Sequence, residues 1–111
     1  MKLLIDEINE GIADQKLAAK LKYGDFIKAY KGKYFYYQIV AVVDKQKNII
    51  GYDLLCLGTN KNHIKMMLES PKRLFLNEPK ILARIEDLFI DLHERGFTDI
   101  TKANFTLTEE Q

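Results

Sequence analysis

A single cysteine, no tryptophan, two prolines and three arginines define this sequence as much by absence as by content. Cys56 has no partner for an internal disulfide, which excludes the stapled architecture of small secreted domains and predicts a reducing, cytoplasmic setting. The opening apolar run Leu3-Leu4-Ile5 stops at Asp6, too short for the core of a signal peptide, and Ile39 to Val43 falls far short of the ~20 residues that cross a bilayer. Neither secretion nor a membrane partner is expected. The six glycines (Gly11, Gly24, Gly32, Gly51, Gly58, Gly96) are scattered singly, so no phosphate-cradling loop exists and no nucleotide cofactor is expected. His63 and His93 lie thirty residues apart, and with one thiol they offer no metal-binding spacing.

The remaining titratable groups have structural readings. Cys56, between Leu55 and Leu57, reads as a buried, protonated and inert thiol. His93 falls near the end of a helix, where its protonated ring complements the helix dipole, and His63 reads as solvated. The acid pairs Asp6/Glu10 and Asp87/Asp91 have the spacing of wet helix faces. An enzyme built on Cys56 or a histidine therefore ranks third among the functional readings.

What is present is an ordinary globular composition: 111 residues, 47% hydrophobic and 30% charged, which predicts one domain over 1–111 with one core. The net charge of +1 conceals a segmental asymmetry. Residues 1–22 balance four lysines with four acids; residues 23–80 carry ten basic against five acidic, +5; residues 81–111 carry three against seven, −4. Two arrangements follow: the segments pack together and neutralise each other, or they form separate surfaces of opposite sign.

The spacing of Leu4, Ile8, Ile12, Leu17 and Leu21 predicts one or two N-terminal helices over 3–22. Three segments rich in β-branched and aromatic residues follow, Phe26 to Tyr30, Lys33 to Val43 and Ile49 to Leu57, joined by short turns and predicting an antiparallel meander. A three-residue loop closed by a left-handed Gly32 sets Ala29 opposite Lys33 and Ile27 opposite Phe35. Ile27, Ala29, Phe35, Tyr37, Ile39, Ala41 and Val43 then share one face; Phe26, Lys28, Tyr30, Tyr34, Tyr36 and Gln38 share the other. The middle strand is apolar on both faces, which demands cover on both, curling into a barrel, or a partner.

Residues 61–69 read as a short helix opened by an asparagine, with Arg73 to Leu76 extended after it. Residues 78–95 read as a long C-terminal helix: Ile81, Leu82, Ile85, Leu88, Phe89 and Leu92 form a stripe, with Asn77 as N-cap and Pro79 in the first turn. Gly96 takes the left-handed position after it, returning Phe97 onto Leu92. A short strand around Asn104 to Leu107 ends the chain. The fold class is α+β: a bent antiparallel sheet, with a small barrel as its alternative form, flanked by an N-terminal helix or helices and the long C-terminal helix.

The segment from Lys28 to Tyr37 interleaves lysines with aromatics across a hairpin. Lys28, Tyr30, Lys31, Lys33, Tyr34, Tyr36 and Gln38 are the candidate partner-binding residues. Tyrosine supplies large contact area with a polar tip, the chemistry of a protein interface. Rings on a sheet with lysines beside them also suit stacked bases and phosphates. Fourteen of the seventeen basic residues are lysine, which lacks the planar fork that reads bases, so protein ranks above nucleic acid as the partner. The stretch Gly24-Asp25-Phe26-Ile27-Lys28-Ala29-Tyr30-Lys31-Gly32-Lys33 resembles the opening of the small SH3-like KOW barrels. The likeness spans about ten residues, and Tyr37-Gln38 replaces the glycine those domains place before their next strand. It implies a small curled sheet and carries no function across.

The sequence thus predicts a small non-enzymatic accessory or regulatory protein that binds a protein, a copy of itself included, with nucleic acid as the alternative partner. Its Lys-, Ile- and Tyr-rich, Arg-poor composition fits an AT-rich genome, such as a low-GC bacterium or its phage.

Overall fold

The structure, a computed structural model, describes residues 2–9, 20–69 and 78–110, with 2–9 and 106–110 described as backbone. In chain order the elements are β1 (Lys2–Asn9), β2 (Phe26–Tyr30), β3 (Tyr34–Val43), β4 (Ile49–Gly58), α1 (Lys61–Glu69), α2 (Ile85–Glu94) and β5 (Thr98–Glu110). The strands form one antiparallel sheet in the order β1-β5-β2-β3-β4. This is an α+β arrangement, and among the described residues β1 and β4 stand at the two edges of an open sheet, not of the small barrel that was its alternative form.

The two-sided apolarity of β3 is resolved by covering it twice. On one face Ile27, Ala29, Tyr37 and Ile39 pack with Leu88, Phe89 and Leu92 of α2 and with Leu21, Phe97 and Ile100. On the other, Tyr36, Val40, Leu55, Leu57 and Ala103 pack with Ile64 of α1, flanked by Phe26, Met67 and Phe105. The face assignment read from the sequence therefore holds, although the register does not. Ala29 pairs with Phe35 and Ile27 with Tyr37, two residues beyond the expected partners. The loop is Lys31-Gly32-Lys33 between the Tyr30–Tyr34 pair, with Gly32 at φ 74°. A slip of two conserves faces because the side-chain period of a strand is two.

Three expectations are overturned. The first seven residues of the predicted N-terminal helical region, with Lys2 before them, form β1, paired with β5 from Lys2 opposite Glu110 to Asn9 opposite Ala103. A spacing of four, as between Leu4 and Ile8, satisfies a strand's period of two as well as a helix's 3.6. Residues 10–19 of that region, including Ile12 and Leu17, lie outside the described residues, as do Asn77 and the stretch from Arg73 to Leu76, whereas Lys20 to Lys22 are described and are not helical. The long C-terminal helix shortens to α2, and Pro79 does not enter it. Residues 80–82 instead lie along the outer edge of β4, where Tyr52 N–H donates to the Leu82 carbonyl at 2.7 Å and Leu82 N–H donates to that of Tyr52 at 3.0 Å. Two backbone bonds to an edge strand compete with about two turns of helix at a proline, and the edge wins. Finally, the chain does not end on the helix: the short strand expected near Asn104 to Leu107 is the thirteen-residue β5.

The start of α1 and the end of α2 follow their sequence signals, whereas α2 opens at Arg84 and not at the expected Asn77 cap. Asn60 caps α1, its side-chain oxygen accepting from Asn62 N–H at 2.7 Å and its carbonyl from Ile64 N–H at 2.9 Å. Arg84 stands before α2, with Asp87 in the first turn reaching back to its N–H at 3.2 Å. At the other end Gly96 has φ 92°, and the bonds Phe97 N–H to Leu92 O and Gly96 N–H to His93 O, both 3.0 Å, make a Schellman closure. That closure seats Phe97 in the core beside Leu92.

Leu88 is 2% exposed, whereas Ile90 on the same helix is 52% exposed. Truncating the buried leucine should cost about 2–5 kcal/mol. Leu88→Ala is thus expected to lower the melting temperature by many degrees, and Ile90→Ala to shift it by little. Thermal denaturation of the two variants side by side checks the assignment of the inner face, and equal shifts would overturn it.

Candidate functional site

The seven candidate residues of the hairpin do not remain together. Tyr30 and Tyr34 face each other across the turn, 39% and 38% exposed, their rings edge to face at 5.2 Å. Lys28 lies on the same side, its ammonium 4.6 Å from the Tyr34 centroid. Tyr36 and Gln38 continue that face inward but are buried: Tyr36 packs in the α1-side core against Phe105, and Gln38 Nε2 donates to the Gly24 carbonyl at 3.1 Å. Lys31 and Lys33 turn to the opposite side. Lys31 Nζ donates to the Arg95 carbonyl at 2.7 Å and sits 5.5 Å from the Phe97 ring centroid; Lys33 Nζ sits 5.7 Å from that of Phe35.

What survives as a surface is a corner made by Tyr30 and Tyr34, with Lys28 buried beside them. Alternation along β3 placed Tyr34, Tyr36 and Gln38 on one face correctly. It carries no information about where α1 begins to cover that face. The lysines separate because strand alternation stops at the turn, and each long stem finds the nearest ring. An ammonium over an exposed ring contributes roughly 0.5–1 kcal/mol, enough to bias where the side chain rests.

A second site, not marked in the sequence, lies between α2, β4 and residues 78–82: a cleft of about 440 Å³ with Leu54, Leu82 and Leu88 as its apolar lining. Its charged groups face one another. Asp91 takes Lys80 Nζ on one oxygen and Arg95 on the other at 2.9 Å. Asp53 accepts from the Lys80 N–H at 2.8 Å and from the Leu54 N–H at 2.7 Å. The Asp91–Arg95 pair has the i,i+4 spacing a sequence can show; Lys80 joins only because the chain folds back along β4. Gly51 is required for that return, since a Cβ there would lie 2.5 Å from Ile81 Cγ2 and 2.8 Å from the Leu82 carbonyl oxygen.

Cys56 also lines this cleft and is exposed, which overturns the expectation of a buried thiol. The apolar neighbours Leu55 and Leu57 point to the α1 side, while Cys56 points the other way on an edge strand, beyond the cover of α2. Opposite it in register is Tyr37, 7% exposed. Burial pushes the Tyr37 phenol above its ordinary value of 10.0; Cys56 adds to the rise and the Arg95 guanidinium offsets part of it. Neither histidine lines the cleft. His93 Nδ1 lies 3.0 Å from the Phe97 carbonyl at the end of α2. His63, exposed at the start of α1, has Nδ1 3.1 Å from the Leu57 carbonyl. Among the described residues no group of three His, Cys, Asp or Glu is placed to hold a metal ion, and no helix is long and apolar enough to cross a membrane.

The chain matches no family model, no curated protein and no solved structure. The residues and their geometry therefore carry the functional argument.

Two measurements check this description of the cleft. Gly51→Ala should push the 80–82 segment off β4, read as faster hydrogen exchange at the Tyr52 and Leu82 amides; unchanged exchange would mean that the close approach is absent. Tyr37 gives a pH signature. Because the fold favours the neutral phenol, the unfolded chain ionises first, so the stability this group contributes below about pH 10 is lost as the pH rises through the folded pKa. Tyr37→Phe should lose less stability than wild type between about pH 9 and 11 in denaturant titrations. Parallel losses in the two proteins would place the phenol in water.

Proposed function

We propose that the protein is a small, non-enzymatic accessory module that binds another protein through the Tyr30–Tyr34 corner of the β2–β3 hairpin. The observation that carries this reading is the disposition of the three hairpin lysines. Base stacking needs a ring face, and the Lys28 ammonium stands over that of Tyr34. Phosphate contact needs a reachable ammonium, yet Lys28 is only 9% exposed and Lys31 donates to a carbonyl oxygen. The tyrosine pair, by contrast, is held edge to face before any partner arrives, so little side-chain freedom remains to be lost on binding. Preorganised tyrosines are typical interface anchors, and solvated lysines at a rim contribute little.

The test is photocrosslinking in cells that express the protein, with a benzophenone amino acid in place of Tyr34 and, as control, of Lys45 on the distant β3–β4 turn. Discrete protein adducts from position 34, unaffected by nuclease and distinct in mass from any formed at position 45, are expected. Against the partner so captured, Tyr30→Ala and Tyr34→Ala should each weaken binding by more than about 1 kcal/mol, with Lys31→Ala weakening it less. Adducts that vanish with nuclease would transfer the function to nucleic acid. Tyrosine variants that bind normally would remove this corner from the account.

A further inference from the structure

Four aliphatic residues at the far end of the β3–β4 ribbon and on the segment beside it are each 46 to 51% exposed: Val43, Ile49, Ile50 and Ile81. Val43 and Ile49 are cross-strand partners, and Ile81 lies against Gly51, the neighbour of Ile50. An apolar group of this kind, concentrated at one end of a domain, is the signature of an interface rather than of scattered exposure. The adjoining turn sets its charge. The Asp44 carboxylate is turned onto the turn's own amides, accepting from Gln46 and Asn48 N–H at 2.9 Å each, while Lys45 and Lys47 stand exposed. The ribbon end is therefore apolar with a basic rim.

The complementary surface is on the same molecule. Ile90 projects from the outer side of α2 with 52% of its surface exposed, and the exposed Glu86 and Glu94 lie one turn to either side of it. Counting Asp87, three carboxylates there meet one guanidinium, Arg84, which reaches Asp87 at 3.1 Å and Glu86 at 3.7 Å. This is an apolar knob with an acidic rim.

We infer that copies of this chain associate head to tail, the ribbon end of one seated on the outer face of α2 of the next. The charges select this geometry. Two ribbon ends meeting symmetrically would bring lysine to lysine, and two α2 faces carboxylate to carboxylate, whereas the mixed contact pairs opposite signs at both rims. Such a contact is heterologous, so it extends into a chain of copies or closes into a ring. It leaves the Tyr30–Tyr34 corner untouched and stands or falls independently of it.

The experiment is sedimentation of the full-length protein over a range of concentrations, with Ile49→Asp and Ile90→Asp as variants. Wild type should show mass above the monomer that grows with concentration and falls at high salt. Each variant alone should weaken association at least about tenfold. Mixed one to one, they should form a dimer that grows no further, because the Ile90→Asp chain still has its ribbon end and the Ile49→Asp chain still has its helix face. Should Ile49→Asp lose its thermal transition, Lys45→Glu combined with Lys47→Glu takes its place and should behave identically in the mixture. A wild type that stays monomeric throughout, variants that associate as wild type does, or a mixture that remains monomeric while wild type associates would each overturn the inference.

Discussion

The structure depends on one strand that is hydrophobic on both sides. Tyr36 and Val40 of β3 point one way, Tyr37 and Ile39 the other, and all four are buried. At roughly 25 cal/mol per Å² of apolar surface, leaving either face wet would forfeit several kcal/mol, a large share of what keeps a small domain folded. Each helix covers one face, Ile64 anchoring α1 and Leu88, Phe89 and Leu92 anchoring α2. Both follow β4 in the chain, and β4 is an edge strand. Residues 80–82, between the two helices, lie along that edge.

The path along the edge accounts for the segment that the sequence presented as helix. Residues 80–82 lie along β4, and their two bonds with Tyr52 occupy donors and acceptors that an open edge would offer to another chain. Gly51 permits the approach, and Asp53 and Asp91 hold Lys80 through its N–H and its ammonium. The strap, the cleft beneath it and the exposure of Cys56 all go with this path along β4. Where the strap ends, towards the β3–β4 turn, the aliphatic group of Val43, Ile49, Ile50 and Ile81 begins.

Local patterns were legible where local chemistry decides, and illegible where distant segments compete for the same residues. The β2–β3 hairpin, the span of β4, the asparagine that opens α1 and the Gly96 closure of α2 are all written in a few neighbouring residues. The Leu4 and Ile8 pair was ambiguous because four is a multiple of two, and its resolution rests on β5, about a hundred residues away. Ile81 and Leu82 fit the α2 stripe by spacing, and only the presence of an uncovered edge draws them out of it. Within the candidate site, alternation identified the right face of β3, but the boundary between exposed Tyr34 and buried Tyr36 is set by the packing of Phe105 and α1. Cys56 was misplaced by judging its neighbours along the chain, which in a strand point to the opposite face.

The charge asymmetry of the sequence finds its explanation at the same level. Lys80–Asp91 joins the basic middle to the acidic last third, but Arg84–Glu86, Arg84–Asp87 and Arg95–Asp91 are pairs within the last third. At the hairpin Lys31 and Lys33 of the middle segment take rings and a carbonyl, Lys31 on Phe97 and Arg95 O and Lys33 on Phe35. The ammonium of Lys31 there meets the negative end of α2, where a cation is favoured by the helix dipole. Its positive charge thus serves the fold, which weakens the argument that a basic segment exists to meet phosphate. At the other end of the ribbon Lys45 and Lys47 stand exposed beside exposed aliphatics, so the basic segment divides between charge drawn onto the core at the hairpin and charge left on the surface.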